Sequence, residues 1–351
     1  MLAASACSMP PAETATLADD TRRYHPRVPS TIDIHAHARS PRLAALTADR
    51  QGPPNPHNER LMQTRYQAAF DSLDVRLQTM DRQGIDMQVV SHVPSHIANF
   101  GYWAERNLAE QIVEAANSHI ADLCRAKPER LVGLCLVALQ FPEMAARQLE
   151  AAMGSMGMRG AEISTRVNGM ELDDERLEPF WAAAEQLGAL IFMHPSGSTL
   201  GQRLSKYYLA NVIGNPLDTT IALSHLIFGG VLERHPRLKI CAAHGGGYLP
   251  SYTPRSDHGF EVRPEAQTIP HPPSHYLRQV FVDTLVYKPE NVAHIIRQLG
   301  ASQVVLGTDY PFDMGEEHPL EVLETVEGLS ASDRDRIKSG NALRLLGLSS
   351  D

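Results

Sequence analysis

The chain has 351 residues, of which 43% are hydrophobic and 21% are charged, and both fractions lie near the average for folded globular proteins. Its formal net charge of -9 argues against a nucleic-acid partner, because binding to phosphates requires a basic surface. No apolar run reaches the roughly 18 residues of a membrane-spanning helix, so we expect no membrane segment either.

The cysteines and the first residues bear on the compartment and on the extent of the folded domain. No two of the four cysteines have the spacing of a metal site, and we expect reduced thiols in a cytoplasmic protein. Residues 1–30 are rich in Ala, Pro, Ser and Thr and lack a basic segment followed by an apolar stretch. We therefore expect a flexible N-terminal tail over residues 1–30, without a secretory signal, and a folded domain over residues 31–351.

Short apolar runs alternate with longer segments of helical periodicity, which is the pattern of repeated strand–helix units around a parallel sheet. This alternation predicts an α/β fold of the (β/α)8 TIM barrel type, with insertions at residues 39–71 and 196–214, after strands 1 and 5. The predicted strands are 31–35, 85–91, 131–137, 159–163, 189–194, 238–243, 279–283 and 303–308. The predicted helices are 103–125, 142–156, 174–187, 289–299 and 319–327.

Three histidines and an aspartate stand at predicted strand ends. His35 and His37 are separated by one residue, so in an extended strand both imidazoles point to the same side. His194 ends the fifth run and Asp309 follows the eighth, and barrel active sites are built at this C-terminal face. A single buried histidine is more often an ordinary hydrogen-bonded core residue, but four phased strand ends predict one divalent metal site.

A fourth histidine, His244, follows the sixth run and precedes three glycines, which let backbone and ligand approach an imidazole closely. We expect His244 to act as the catalytic acid or base, since an imidazole exchanges protons near neutral pH. The alternative interpretation is a structural histidine at a glycine-rich turn. Asp283, at the end of the seventh run, is expected either to orient a ligand or to bond to nearby backbone.

The order and setting of these motifs resemble the decarboxylase branch of the amidohydrolase superfamily, the branch of aminocarboxymuconate-semialdehyde decarboxylase. The resemblance covers nearly the whole chain from about Ile32, and it includes residues 80–89, 281–284, 309–312 and 339–342. It implies metal ligation by His35, His37, His194 and Asp309 and a catalytic role for His244.

The same resemblance implies a homodimer in which an arginine beyond the His-Gly-Gly-Gly motif binds a substrate carboxylate across the interface. Counting from His244, we assign this role to Arg263, with Arg255 as the nearer alternative. A second family arginine, in the insertion after the first strand, does not align cleanly, and Arg60 and Arg65 both lie near its place. Of these two, Arg65 is taken as the substrate-binding candidate, although such arginines are more often solvated surface groups.

The favoured function is non-oxidative decarboxylation of a small unsaturated or aromatic carboxylic acid by a metal-dependent carboxy-lyase. Zinc is the expected ion, and manganese also suits this donor set. A second hypothesis is a hydrolase or hydratase of a ring-cleavage product or lactone, in which Asp309 takes the proton of the attacking water. A third is a barrel without activity that serves as a binding module. The sequence does not separate the first two, because both use the same ligands.

Overall fold

A computed structural model describes residues 28–50, 60, 64–93, 98–196 and 200–348, and strands alternate with helices within these ranges. The strands are β1 (Ile32–Ala38), β2 (Met87–His92), β3 (Leu131–Gly133), β4 (Gly160–Ser164), β5 (Leu190–His194), β6 (Lys239–Ala242), β7 (Val280–Asp283) and β8 (Val304–Val305). The predicted tail lies outside the described residues except for its last three positions, 28–30.

Helices connect these strands and pack around them. The α-helices are α1 (Pro41–Leu46), α2 (Arg65–Asp71), α3 (Leu73–Gln83), α4 (Arg106–Ala126), α5 (Pro142–Ser155), α6 (Glu178–Leu187), α7 (Asn215–Phe228), α8 (Val231–Arg234), α9 (Leu249–Val262), α10 (Pro273–Leu277), α11 (Pro289–Leu299), α12 (Pro319–Glu324), α13 (Ala331–Asp335) and α14 (Asn341–Leu346). Short 3-10 or π turns include Glu175–Leu177, Gly201–Leu204, Ala210–Gly214 and His244–Gly246.

Local sequence signals set the ends of the helix that precedes β2. The Ser72 side chain accepts a hydrogen bond from the Val75 amide and so satisfies one of the free donors at the start of α3. Gly84 ends α3 in the left-handed conformation, with φ 69°, which a residue without a Cβ adopts at little cost. The chain can therefore turn sharply from α3 into β2.

Parallel pairing forms one sheet in the order β1, β2, β3 and a second sheet in the order β4 to β8. Backbone hydrogen bonds join the two sheets at two seams, the first between β3 and β4 and the second between β8 and β1, and so close a barrel. At the first seam the Cys135 amide donates to the Gly160 carbonyl over 2.9 Å. At the second, the Ile34 amide donates to the Leu306 carbonyl over 2.8 Å. Ala36 and Tyr310 form a parallel bridge at the same place. The (β/α)8 barrel predicted from the sequence is thus the observed architecture.

Apolar side chains fill the barrel and also the layer between strands and helices. The outer layer includes Trp181 and Phe180 of α6 and Leu149 of α5, all buried. Helix α14 covers the inner cluster at the N-terminal end of the barrel. Polar groups occupy the opposite, C-terminal end. Its buried members are Ile32, Ile34, Met87, Val89, Val132, Leu134, Leu190, Phe192, Cys241, Ala243, Phe281, Val305, Ala342, Leu345 and Leu346.

All the predicted strands occur, with small shifts at their ends. The first strand is longer than the predicted 31–35, because its pairing with β2 continues to Ala38 opposite His92. The third and eighth are shorter than predicted, since regular pairing ends at Gly133 and Val305 and only isolated bonds continue the ladder. The predicted helices occur as α4, α5, α6, α11 and α12, whereas α3 and α9 are among those that were not predicted.

Candidate metal centre

The two histidines of β1 point into the C-terminal mouth of the barrel. The strand shifts register between Asp33 and Ala36, and His35 and His37 lie side by side with their Nε2 atoms 3.1 Å apart. Both side chains are fully buried. Each also approaches Asp309, whose Oδ1 atom lies 3.3 Å from Nε2 of His35 and 3.2 Å from Nε2 of His37.

His194 at the end of β5 completes the group. Its Nδ1 donates to the Pro195 carbonyl over 2.8 Å, which leaves the Nε2 lone pair free to bind an ion. This Nε2 atom and the Oδ1 atom of Asp309 are buried and have no hydrogen-bond partner among the residues that the structure describes. Ligand atoms of His35, His37, His194 and Asp309 all lie within 4.8 Å of one another.

The spacing of these atoms matches what one cation requires. Ligands bound tetrahedrally at the usual zinc distances of about 2.0–2.1 Å are separated from each other by about 3.3 Å. The three contacts among His35, His37 and Asp309, at 3.1 to 3.3 Å, have this separation. The four residues therefore form a site for one divalent metal ion, as the sequence predicted.

The protonation preferences of the ligands agree with a cation site. Burial, reinforced by the neighbouring imidazoles, holds the pKa of His194 well below its usual range, so the ring is neutral. Burial alone would raise the pKa of Asp309, but the adjacent His35 and further imidazoles lower it well below the usual range. Burial would likewise lower the pKa of His35, yet the carboxylates of Asp309 and Asp283 raise it to about 10. The carboxylates thus create a strong demand for positive charge, which a divalent cation would satisfy.

Residues behind the ligands fix the orientation of their rings. The Nδ1 atom of His35 donates to Asp283 over 2.7 Å, and that carboxylate also accepts from the amides of His244 and Gly245. Asp283 therefore both orients a metal ligand and bonds to nearby backbone, the two roles expected for it. Arg76 of α3 is buried, donates to the His37 carbonyl and stacks its guanidinium 4.7 Å from the Tyr310 ring. Arg76 was not predicted from the sequence as part of the site.

His244 faces the metal ligands from the end of β6. Its Nε2 atom lies 3.9 Å from Oδ2 of Asp309, and its ring centroid is 5.1 Å from that of His194. The glycines that follow His244 are required by the tight turn, since a Cβ on Gly247 would lie 2.2 Å from the Pro216 carbonyl oxygen. The turn thus presents an imidazole beside the site without adding a fifth member to the ligand cluster.

The arginines proposed for substrate binding lie outside this cluster. The Arg263 side chain is 65% exposed and donates to Glu265 over 2.6 Å, and Arg255 is exposed on α9. Within the described part of one chain, neither forms a hydrogen bond or ion pair with a metal ligand. Arg65 begins α2, but its side chain is outside the described residues.

Aromatic rings line one side of the mouth. Phe312, just beyond Asp309, packs edge-on against His37 with ring centroids 5.5 Å apart. On its other side it contacts Phe70 of α2, at 5.4 Å. Phe70 belongs to the insertion after β1, so this insertion closes part of the wall beside the metal ligands. Apolar surface next to a cation site suits a ligand that combines a ring with a charged group.

Among the described helices, none combines the length and apolar character needed to cross a membrane. The three imidazoles and one carboxylate at the mouth of a (β/α)8 barrel define a mononuclear, metal-dependent barrel enzyme. A family model described as amidohydrolase matches residues 32–348, and the chain belongs to this family.

Named decarboxylases are among its relatives. It is 38% identical over 277 residues to a 2-amino-3-carboxymuconate-6-semialdehyde decarboxylase of Dictyostelium discoideum, covering 78% of this chain and 76% of that protein. It is 28% identical over 300 residues to a gamma-resorcylate decarboxylase of Rhodococcus jostii strain RHA1, covering 80% and 88%. A solved structure of a dihydroxybenzoic acid decarboxylase from Polaromonas sp. JS666, with bound manganese and the inhibitor 2-nitroresorcinol, superposes with a TM-score of 0.78. That match has 22% identity over 92% of this chain and 98% of the other, and it supports the fold.

Proposed function

We propose that this chain is a metal-dependent, non-oxidative decarboxylase of a small aromatic or unsaturated carboxylic acid. The observation that carries the proposal is the convergence of four ligand side chains with His244, whose Nε2 lies 3.9 Å from the ligand Asp309. Relatives named as decarboxylases of a carboxymuconate semialdehyde and of gamma-resorcylate support the reaction class. The aromatic wall of Phe312 and Phe70 supports a planar substrate.

The reaction breaks one carbon–carbon bond and needs one proton. The bond between the carboxylate and its neighbouring carbon breaks, CO2 leaves, and the electron pair of that bond stays on the carbon. A proton then adds to this carbon, so the carboxylate and one proton become the decarboxylated product and CO2. The protein must therefore stabilise negative charge at the carbon and deliver a proton to it.

The residues at the mouth divide these tasks. A divalent ion held by the four ligands would supply Lewis acidity toward a substrate oxygen. His244 holds the proton that passes to the carbon, and the glycine turn allows the substrate to approach its ring. The Oδ2 atom of Asp309 lies 3.9 Å from Nε2 of His244. A short movement of either side chain would bring these two atoms within hydrogen-bond distance and allow proton transfer between them. The ring of Phe312 excludes water from one side.

A panel of candidate acids tests the reaction class directly. Dihydroxybenzoates, muconate semialdehydes, lactones and ring-cleavage products are incubated with the metal-loaded protein, and CO2 release is compared with substrate loss. We expect equal amounts of CO2 and decarboxylated product from at least one acid. Water addition or ester cleavage without CO2 would contradict decarboxylation and favour the hydrolase or hydratase, which uses the same ligands.

We propose zinc as the ion, because three imidazoles and one carboxylate form a compact, nitrogen-rich donor set. Manganese is the alternative, and it is the ion named with the Polaromonas decarboxylase structure. Elemental analysis of the purified protein, followed by reloading of the metal-free protein with each ion, decides between them. Higher kcat/KM with manganese than with zinc, together with manganese in the purified protein, would contradict the assignment.

We further propose a homodimer in which Arg255 or Arg263 binds a substrate carboxylate in the partner's barrel mouth. Both arginines are exposed and, among the described residues of their own chain, form no hydrogen bond or ion pair with a metal ligand, which supports a role at the site of a second subunit. The same helix exposes apolar side chains, since Tyr252 is 63% and Val262 is 54% exposed. Exposed apolar groups beside a guanidinium are typical of contact surfaces between proteins. Arg65 is retained as a candidate from the insertion after β1.

Mixing of inactive subunits tests this arrangement. Arg255→Ala and His244→Ala proteins are each assayed alone and then after unfolding and refolding together, and the same is done with Arg263→Ala. If the arginine acts across the interface, random pairing restores about a quarter of wild-type activity, because half the dimers are mixed and each has one complete site. An arginine that acts within its own chain gives no recovery, and a monomeric mass by light scattering would contradict the dimer.

Two further expectations concern the chain as a whole. We propose a cytoplasmic location, which the free thiols of Cys124, Cys135 and Cys241 support, since such thiols are typical of reducing compartments. We also propose that residues 1–30 form a tail outside the barrel, in keeping with a family match that begins at residue 32. Fractionation of cells that express the full chain, and metal binding by a chain that begins at residue 28, test these two proposals.

A further inference from the structure

Glu162 has a fully buried carboxyl group in the wall of the barrel, next to the metal centre. It lies on β4 opposite Phe192 of β5, so its side chain points into the barrel together with that ring. Its Oε2 atom is 3.1 Å from Nδ1 of His92 and its Oε1 atom is 3.7 Å from Nδ1 of His37. Burial of an ionisable side chain without polar partners is energetically unfavourable, so these two contacts indicate a specific role for Glu162.

The two contacts meet at the back of a metal ligand. The Nδ1 atom of His37 lies 3.0 Å from the His92 carbonyl oxygen and 3.1 Å from the Ser91 hydroxyl. Donation from Nδ1 to that carbonyl leaves Nε2 unprotonated and directed toward the other ligands. The position of the His92 backbone therefore sets both the tautomer and the direction of the His37 ring.

Glu162 holds this backbone in place through the side chain of the same residue. His92 is the last residue of β2, and beyond it the paired strand ends, so its carbonyl has less support from the sheet than those before it. The imidazole of His92 is clamped between Glu162 and the ring of Phe100, whose centroid lies 5.0 Å away. Removal of the Glu162 side chain would allow the His92 ring to move. The His92 carbonyl, which accepts the hydrogen bond from His37, would then be less firmly held.

We infer that Glu162 is a positioning residue for the metal ligand His37, acting through His92 and without touching the ion. The inference concerns the metal centre, so its test does not depend on whether the chain releases CO2. Because the role is to hold the His92 ring by a close polar contact, glutamine, which keeps a polar group of the same size, should replace Glu162, whereas leucine should not. Removal of a residue that supports a metal ligand from outside the ligand set typically weakens metal affinity about 10- to 100-fold.

The experiment compares Glu162→Leu and Glu162→Gln in the full chain. Zinc affinity is measured by competition with a chelator, and the ligand geometry is read from the visible absorption of the cobalt-loaded protein. We expect Glu162→Leu to weaken zinc binding about 10- to 100-fold and to change the cobalt spectrum. Glu162→Gln is expected to retain both properties of the wild type.

A matched control removes a buried carboxylate elsewhere. Asp218 on α7 is buried, accepts a hydrogen bond from Thr165 and, among the described residues, has no hydrogen bond or ion pair with a histidine ligand, so Asp218→Leu should leave zinc affinity and the cobalt spectrum unchanged. Wild-type affinity in Glu162→Leu, equal losses in Glu162→Leu and Glu162→Gln, or an equal loss in Asp218→Leu would each overturn the inference.

A second variant keeps the test valid if Glu162→Leu does not fold. His92→Asn removes the ring that Glu162 holds but keeps the backbone carbonyl that accepts from His37. We expect about a tenfold or greater loss of zinc affinity and an altered cobalt spectrum, with circular dichroism of the metal-free protein unchanged. Wild-type affinity and spectrum in a folded His92→Asn protein would overturn the inference as well.

Discussion

Each histidine of the metal centre has an acceptor behind its ring. The acceptor is a carboxylate for His35 and a backbone carbonyl for His37 and for His194. Since Nδ1 donates in each case, Nε2 is the nitrogen that meets the ion when the ring is neutral. The metal site therefore depends on the tautomer of each histidine as well as on the distances between the ligands. The acceptors that set these tautomers are not themselves ligands.

Two chemically active side chains stand on strained backbone. His244 and Asp309 have φ angles of 57° and 59°, in the left-handed region that residues with a Cβ rarely adopt. Such strain persists where surrounding structure over-determines it, and it is concentrated at functional sites. The conformation places both side chains at the mouth, where their polar atoms are 3.9 Å apart.

Replacement of His244 by alanine separates catalysis from metal binding. His244 is not a member of the ligand cluster, so the variant should retain its full metal content. Loss of the proton donor should lower kcat by about 10²- to 10⁴-fold. The measurements are elemental analysis and CO2 release. His225→Ala serves as the control, because His225 pairs with Asp173 at the protein surface and should be replaceable without loss of activity. Full activity in His244→Ala would refute the catalytic role.

At the scale of single elements, the segment between β8 and Asp309 is held close to β1 and β7 by a glycine. A Cβ added at Gly307 would lie 2.7 Å from Cβ of Asp283 and 3.1 Å from Cβ of His35. Both contacts are tighter than ordinary packing, and they involve a metal ligand and the carboxylate that orients it. The close approach of the strand ends thus depends on the absence of one side chain.

Gly307→Ala should disturb the metal centre through packing alone. We expect a loss of about 1–3 kcal/mol in the free energy of unfolding, with weaker zinc binding, since overpacking displaces neighbouring groups. Chemical denaturation and chelator competition measure the two effects. Gly154→Ala in α5 is the matched control, because a Cβ there meets nothing within 4 Å and alanine favours the helix. Unchanged zinc affinity in Gly307→Ala would contradict the packing argument.

A contact between two short helices gives a pH-dependent prediction. Tyr276 of α10 donates to Glu233 of α8 over 2.7 Å, and burial together with this bond raises the pKa of the phenol to about 12. The pKa is higher in the folded than in the unfolded state, so this contribution to stability is complete below pH 10 and declines as the pH rises toward 12. Tyr276→Phe should show a smaller loss of stability over this range in denaturation measurements. Parallel curves for the two proteins would contradict it.

The sequence identified the strands and the metal ligands because both depend on local patterns. Apolar runs mark barrel strands, and each ligand stands at the end of such a run. Helix α3 escaped prediction because Arg76 occupies a buried position where periodicity calls for an apolar residue. Its burial is compensated by the His37 carbonyl and by Gln88 of β2, contacts between distant residues that a single sequence does not display.

Glu162 carried a signal that could have been used. An acidic residue inside an apolar strand is unfavourable unless it has a partner, so its presence in the fourth predicted strand indicates a special role. Its partner His92 lies on another strand, and only the closed barrel brings the two together. The substrate arginines are harder still, since their proposed role depends on a second subunit.

At the scale of the whole molecule, the metal ligands belong to strands from both ends of the chain. His35 and His37 come from β1, His194 from β5 and Asp309 from the segment after β8. The amide of Asp309 donates to the His35 carbonyl over 2.8 Å, and the amide of His37 donates to the Tyr310 carbonyl over 2.7 Å. An ion at this site would therefore connect the two strands that close the barrel.

Removal of the metal should destabilise the junction between β1 and the segment after β8. A ligand that binds only the folded state adds about 2.7 kcal/mol when its free concentration is 100 times its dissociation constant. We expect a chelator to lower the Tm by several degrees, measured by calorimetry, and to speed hydrogen exchange at the His37 and Asp309 amides. His37→Ala supplies the control, as its Tm should not respond to the chelator. An equal response in both proteins would contradict a stabilising role for this site.

The bonds across the second seam also order events during synthesis. Asp309 and the strand before it are among the last parts of the barrel to leave the ribosome, while His35 and His37 are among the first. A growing chain thus exposes two imidazoles long before the carboxylate that completes the cluster exists. The complete ligand set and the closed barrel both need the segment after β8, so a chain that stops before Asp309 would have neither.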